Sequence, residues 1–341
     1  MAAITNSNSN LTLADWAKRT DPDGRVALVA ELLSQSNEIL EDCVYKEGNL
    51  PTGDRVVIRT GLPTAYWRSL NQGIPNSKSS TAQVDEACGM LEARSEVDKD
   101  LAMLNGNTAQ FRLSEDTAFL EAMNQTQAQT IFYGNPATDP KQFLGLATRY
   151  SSTTAGNGTN IIPGGATSGS LNTSVYLVVW GDNTVYCPFP KGSKAGLLHE
   201  DLGEQTVYDG VNRMQAYATR YQWKSGLVVK DWRYVVRIPN LLVADIVSGT
   251  GTQAATYATQ LTKLMMRAMY KIPNLDSGRA AFYMNRTVHS GLAVQSLDRS
   301  QAALAVQPAL SQFGTARNYL SFQGIPIRRV DCLLNTEAIV S

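Results

Sequence analysis

Apolar and polar positions first alternate regularly at residues 55–60, where Val56 and Ile58 fall on one side and Arg55, Val57 and Arg59 on the other. That is the period of a half-buried strand. Gly61 and Pro63 stop it, and residues 83–97 return as a second strand. Between them lies a polar excursion in which Tyr66, Trp67 and Leu70 stand outside any periodic pattern, with turn signals at Gly73, Pro75-Asn76 and Ser79-Ser80. Loops longer than about a dozen residues carry a closure cost and usually serve a function. Two readings of Tyr66 and Trp67 are open: they tuck beneath their own loop, or they anchor a partner.

The remaining elements follow from the same patterning. Thr12 and Asp15 have the spacing of a capping box, so a short helix begins there. Asp21-Pro22 starts a second helix, whose apolar face includes Val26, Val29, Leu33 and Leu40 and which ends near Gly48. A long helix spans 114–133, with Ser114 as N-cap, Glu115 and Asp116 in the first turn, and an apolar side of Phe119, Ala122, Met123, Ala128, Ile131 and Phe132. Gly134 and Pro136 end it. After a Gly/Ser/Thr/Asn-rich tract at 148–174, residues 175–180 and 184–187 read as a hairpin about Gly181-Asp182-Asn183. Residues 231–238 alternate as a strand that Pro239 stops, which predicts a sheet with one covered face. From residue 253 the period becomes that of a helix, with Tyr257, Leu261, Leu264, Met265, Ala268 and Ile272 as its stripe and Pro273 as its end. A further helix starts near Asn285, and residues 325–334 form a closing strand.

At 341 residues the chain suits two subdomains. Its 30 basic and 30 acidic residues cancel, so no global field attracts nucleic acid or an anionic membrane. The balance is uneven locally. Residues 1–50 carry four basic and eight acidic residues, whereas 55–84 carry Arg55, Arg59, Arg68 and Lys78 and no acid. An acidic arm and a basic loop are thus available to meet. The first ten residues lack the basic start and apolar run of a secretory signal, and no apolar stretch approaches a membrane span, so a cytoplasmic protein with no membrane partner is expected.

Sites for chemistry are poorly supplied. Cys43, Cys88, Cys187 and Cys332 lie far apart without CxxC spacing and read as buried free thiols. His199 and His289 belong to no ligand motif. Gly249-Thr250-Gly251-Thr252-Gln253-Ala254 has the form that cradles a dinucleotide pyrophosphate, but it follows an antiparallel-looking region rather than the first strand of a parallel sheet. It reads as a turn. Neighbouring carboxylates such as Asp85-Glu86 would point to opposite faces of a strand. No catalytic, cofactor or metal site is assigned, and the chain is expected not to be an enzyme.

Several strings, in this order, carry a resemblance: Leu50-Pro51-Thr52-Gly53 through Leu62-Pro63-Thr64-Ala65-Tyr66-Trp67-Arg68, then Ser79-Ser80-Thr81-Ala82-Gln83-Val84-Asp85-Glu86, Trp223-Lys224-Ser225-Gly226-Leu227 with Asp231-Trp232-Arg233-Tyr234-Val235-Val236-Arg237-Ile238, Tyr283-Met284-Asn285-Arg286 and Phe322-Gln323-Gly324-Ile325-Pro326-Ile327-Arg328. Across nearly its whole length the chain resembles the major capsid proteins of tailed bacteriophages with the HK97-like fold, particularly the short-tailed-phage group.

The resemblance implies an α+β, HK97-like capsid fold. Its parts would be an N-terminal arm (1–49), an extended β-hairpin loop (50–97), a peripheral domain (98–250) with spine helix 114–133 and a β-sheet, and a mostly axial domain (251–341). It implies a subunit that self-assembles into hexamers and pentamers of an icosahedral head around double-stranded DNA, built in a bacterial host cytoplasm and kept in the virion. Arg55, Arg59, Tyr66, Trp67, Arg68 and Lys78 of the extended loop would then be assembly residues. The short arm implies a separate scaffolding protein, and a portal and a decoration protein are further partners of such a shell; contact with DNA would be weak and non-specific. Some relatives crosslink a loop lysine to a neighbour's asparagine. Lys78 is the only lysine of the tip, and the sequence identifies neither a partner asparagine nor an activating carboxylate. The competing assignments are another virion component, such as a tail-tube or decoration protein, and a nucleotide-binding enzyme using residues 249–254.

Overall fold

A computed structural model describes residues 11–19, 33–104, 106–166, 169, 171–208, 212–247, 252–295, 304–310 and 316–341. In chain order the elements are α1 (Leu13–Lys18), α2 (Ile39–Asp42), β1 (Tyr45–Glu47), β2 (Gly53–Gly61), β3 (Ser80–Asp98), α3 (Lys99–Met103), α4 (Thr108–Tyr133) and α5 (Leu146–Arg149). Then come β4 (Asn172–Trp180), β5 (Val185–Phe189), β6 (Leu197–Tyr208), β7 (Arg213–Gly226), β8 (Val228–Val229), β9 (Val235–Leu242) and α6 (Val243–Val247). The chain closes with α7 (Thr252–Lys271), β10 (Arg279–Met284), α8 (Arg286–Gln295), β11 (Leu304–Leu310), β12 (Ala316–Phe322) and β13 (Ile325–Arg329).

These elements form two compact units. The smaller comprises residues 1–35, 90–127 and 196–224. Its core is small: Val97, Ala102 and Phe111, with Leu11, Trp16 and Tyr217 packed against them. Strand β7 lies between β6 and β3. Charge pairs lace this unit: Arg112 to Asp201 at 2.6 Å, Lys99 to Glu204 at 2.8 Å, Arg220 to Glu92 at 3.0 Å, and Arg19 to Glu115. The helix α1 starts as its sequence predicts, with Thr12 and Asp15 each accepting from the other's backbone N–H.

The larger unit holds residues 36–89, 128–195 and 225–341. Its sheet runs β1-β5-β4-β10-β13-β12-β11, with β8 also on β5 and β9 also on β4. Every residue of β4 is buried. Tyr176, Val178 and Trp180 of β4 join one core with Ala128, Ile131 and Phe132 of α4 and Leu146 of α5. Val175, Leu177 and Val179 join the other, with Leu261, Leu264, Met265, Ala268 and Ile272 of α7 and Val288 and Leu292 of α8. The expectation of one covered face is therefore corrected: helices cover both, which fits the unbroken apolar run from Val175 to Trp180.

Other expectations also shift. The spine helix begins at Thr108 rather than at Ser114, giving 26 residues and about 39 Å. Ser114 is not its N-cap; its hydroxyl donates to Phe111 O at 2.9 Å, a local bond open to serine inside a helix. The earlier start places Phe111 in the smaller core, and Ala122, expected on the apolar side, is exposed. Residues 21–32 of the second helix lie outside the described residues, but beyond them the chain is irregular until α2, and β1 pairs in parallel with β5 where helix was expected.

Strands β4 and β5 do not form a hairpin. They share one parallel bridge, Trp180 to Val185, because Thr184 Oγ1 donates to Val179 O at 2.7 Å and turns the chain toward β1 and β8. Residues 232–234 form a 3-10 turn capped by Asp231, and the strand starts only at Val235. Pro239 does not end that strand. It sits at a bulge where the register slips between Thr173 and Val175, and Asn240 takes φ 61° there. The closing strand is shorter than expected, stopping at Arg329. Helices α7 and α8 form where the periodicity places them.

Candidate functional site

The hairpin of β2 and β3 has a fastened base and a bare tip. Its register runs from Gly53 opposite Ala87 to Gly61 opposite Ser80. Asp54 and Glu86 face each other across the strands on the inward side. Two like charges opposite one another destabilise a ladder unless each has its own counterpart. Both do. Tyr186 of β5 donates its hydroxyl to Asp54, whose other oxygen accepts the Asn49 N–H at 3.1 Å. Burial, and then the Asp54 carboxylate, push the Tyr186 hydroxyl well above its ordinary pKa, so it stays a donor. Arg149 of α5 forks Glu86 at 2.6 and 2.7 Å and donates to Leu227 O at 2.9 Å. This pair is nearly buried, its side chains 12% and 11% exposed. Val56 packs with Tyr186 and Val228, and Ile58 lies beside them.

On the outward side, Arg55 forks Asp85 at 2.6 and 2.7 Å. The hydrogen bond from Arg55 holds the Asp85 carboxyl below its usual range. Asp85 and Glu86 thus point to opposite faces. Arg59 is exposed and lines a groove of about 580 Å³ with Ile58, Leu62, Lys230 and Trp232. Residues 62–80 are exposed at every position, Arg68 and Lys78 included. Trp67 is 104% exposed, Leu70 93%, Ile74 54% and Tyr66 47%. Neither aromatic tucks beneath its loop. Within the tip, the Ser77 hydroxyl donates to Thr64 O at 2.9 Å.

The six loop residues do not converge on one another as a reactive site. Three of the four residues that orient the loop, Asp54, Arg149 and Tyr186, were not singled out by the sequence, and their signals are weak: a carboxylate one residue from Arg55, and an arginine ending a four-residue helix. The cysteines are free thiols, buried except for the half-buried Cys88, and burial pushes the Cys43 thiol well up. Residues 249–251 of the glycine motif lie outside the described residues.

Comparison with known proteins gives this geometry a context. No curated protein sequence matches the chain. A chain of the near-atomic cryo-EM structure of bacteriophage Epsilon15 superposes over 100% of this chain and 99% of its own, with 30% identity and a TM-score of 0.72. The capsid of bacteriophage JBD30 aligns over 89% of this chain and 92% of its own, at 9% identity and a TM-score of 0.49. The fold is the α+β, HK97-like capsid fold. The model of the family "Major capsid protein GP7" matches residues 21–341. With almost the full length matched, the chain belongs to the GP7 family of major capsid proteins and is a self-associating structural protein of an icosahedral phage virion.

Proposed function

We propose that copies of this chain associate as hexamers and pentamers that close a head around double-stranded DNA, the hairpin tip of each copy lying on its neighbour. The exposed tip on an anchored base carries this reading. Trp67, Tyr66, Leu70 and Ile74 present apolar area that the subunit itself does not cover, and such area gains free energy only when a neighbour removes it from water. Arg59, Arg68 and Lys78 give the tip its positive charge, while Arg55 belongs to the hairpin through Asp85. Interfaces repeated around closed rings make a durable shell from modest contacts.

In this reading residues 1–49 are the arm, 50–97 the extended loop, 98–250 mainly the peripheral domain and 251–341 mostly the axial domain. The grouping of 90–127 with 196–224 supports a peripheral domain centred on α4 and the β6–β7 hairpin. A separate scaffolding protein and a portal join assembly in the bacterial cytoplasm, a decoration protein is a further partner, and the chain catalyses nothing. Negative-stain microscopy of the chain co-expressed with its scaffold is expected to show closed shells; tubes or discrete oligomers would favour a tail or decoration role. Boiling particles in detergent should release 37.1 kDa monomers. A ladder that disappears in Lys78→Ala would instead establish a covalent loop.

A further inference from the structure

The neutral total conceals a strong segregation of charge. Residues 246–330 contain nine basic residues against Asp276 and Asp298 alone, and 246–275 contain no acid. Three of those cations lie on α7. That helix buries Leu261, Leu264, Met265 and Ala268 against the sheet, and its four-residue period puts Lys263, Arg267 and Lys271 on the opposite, exposed side. Neighbours in this row are separated by about 6 Å of helix rise, so the row extends about 12 Å. Tyr270, 84% exposed, stands among them. Among the described residues none of the three cations has an ion-pair partner, whereas Lys99, Arg112 and Arg220 of the smaller unit are each neutralised by a carboxylate.

We propose that the solvent face of α7 is where the subunit meets the phosphate backbone of the packaged duplex. This rests on the reading that the shell encloses DNA, and it assigns the contact to one surface rather than to scattered cations. A duplex presents one negative charge per about 1.7 Å of axis, so several phosphates lie within the reach of the row. Lysine, arginine and the Tyr270 phenol all donate to phosphate oxygens without reading sequence. An evenly spaced row of cations on a convex helix suits a repeating lattice of charge better than it suits a shaped, acidic protein surface. The adjoining shallow groove of about 350 Å³, lined by Thr262, Met266 and Phe322 between Lys263 and Arg267, adds no negative charge.

The test measures the affinity of the full-length subunit for a mixed-sequence duplex of about 30 base pairs, by fluorescence anisotropy across a salt series, with poly-glutamate as a second ligand. The triple variant Lys263→Gln, Arg267→Gln, Lys271→Gln is compared with Lys141→Gln, Lys191→Gln, Lys194→Gln, an equal loss of exposed charge elsewhere. Circular dichroism checks that both fold. The slope of log affinity against log salt should fall by about 2.7 in the α7 variant, at about 0.9 per phosphate contact, and change little in the control. An unchanged slope in the α7 variant, or an equal fall in both, overturns the α7 assignment while leaving DNA contact intact. If the unaltered subunit binds no duplex even at low salt, the DNA-contact reading fails with it. Preference for poly-glutamate over duplex, lost in the α7 variant, overturns the proposal and gives this face to an acidic protein.

Discussion

The two ends of the β2–β3 hairpin obey different rules. At the base, Asp54, Val56 and Glu86 are held by Tyr186, Val228 and Arg149, so the subunit fixes the direction in which the hairpin leaves. At the tip, residues 62–80 meet solvent at every position, and large apolar side chains remain uncovered. Buried polar pairs over-determine a geometry because losing one partner leaves the other desolvated. An exposed aromatic determines nothing until something covers it. On the proposed reading, the hairpin combines aim, supplied by the subunit, with adhesion that a neighbour would complete.

The largest effect should come from removing adhesion alone. Replacing residues 64–79 by a short Gly-Ser turn is expected to leave near-native circular dichroism and cooperative melting, since those residues contribute to no core, and to abolish closed shells in electron micrographs. Misfolding of that variant would make the tip part of the core; normal shells would make it dispensable.

Attacking the base should reverse the pattern. Arg149→Met leaves Glu86 unpaired where it is 11% exposed and should cost the subunit about 3 kcal/mol in a denaturant melt. Trp67→Ala is the complementary, smaller change. Subunit stability should hold, while each intersubunit contact loses about 2 kcal/mol, read as at least a tenfold rise in the concentration needed for assembly.

The smallest effect tests whether the core is indifferent to the tip. Burial, reinforced by the Arg329 charge, lowers the His289 pKa below its ordinary value. Its folded pKa is depressed, so below about pH 6.5 the unfolded chain takes up a proton first and stability falls as the solution is acidified. His289→Asn should flatten that part of the melting profile. The same difference should appear in the tip-replaced chain.

Periodicity located what depends on near neighbours. The strands of the hairpin, the opposed directions of Asp85 and Glu86, the Thr12 capping box and helices α7 and α8 were all legible, because side-chain direction follows from backbone period. The bare tip was legible as a long stretch without period. Errors arose where distant partners overrode local signals. Ser114 looks like a cap but lies inside a helix extended to carry Phe111, and Pro239 looks like a stop but fits a bulge closed by Asn240, which exchanges two hydrogen bonds with Val340 a hundred residues away.

By itself, then, the sequence determined the order of hairpin, helix and sheet, the positive tip and its unpatterned aromatics, since composition and period are local properties. Tertiary structure alone decided which residues aim the hairpin. Asp54 meets Tyr186 across 132 positions and Glu86 meets Arg149 across 63, and no local pattern encodes such a pairing. It likewise decided that β4 is covered on both faces and that Lys263, Arg267 and Lys271 remain unpaired among the described residues, because burial and charge neutralisation depend on what the fold brings near.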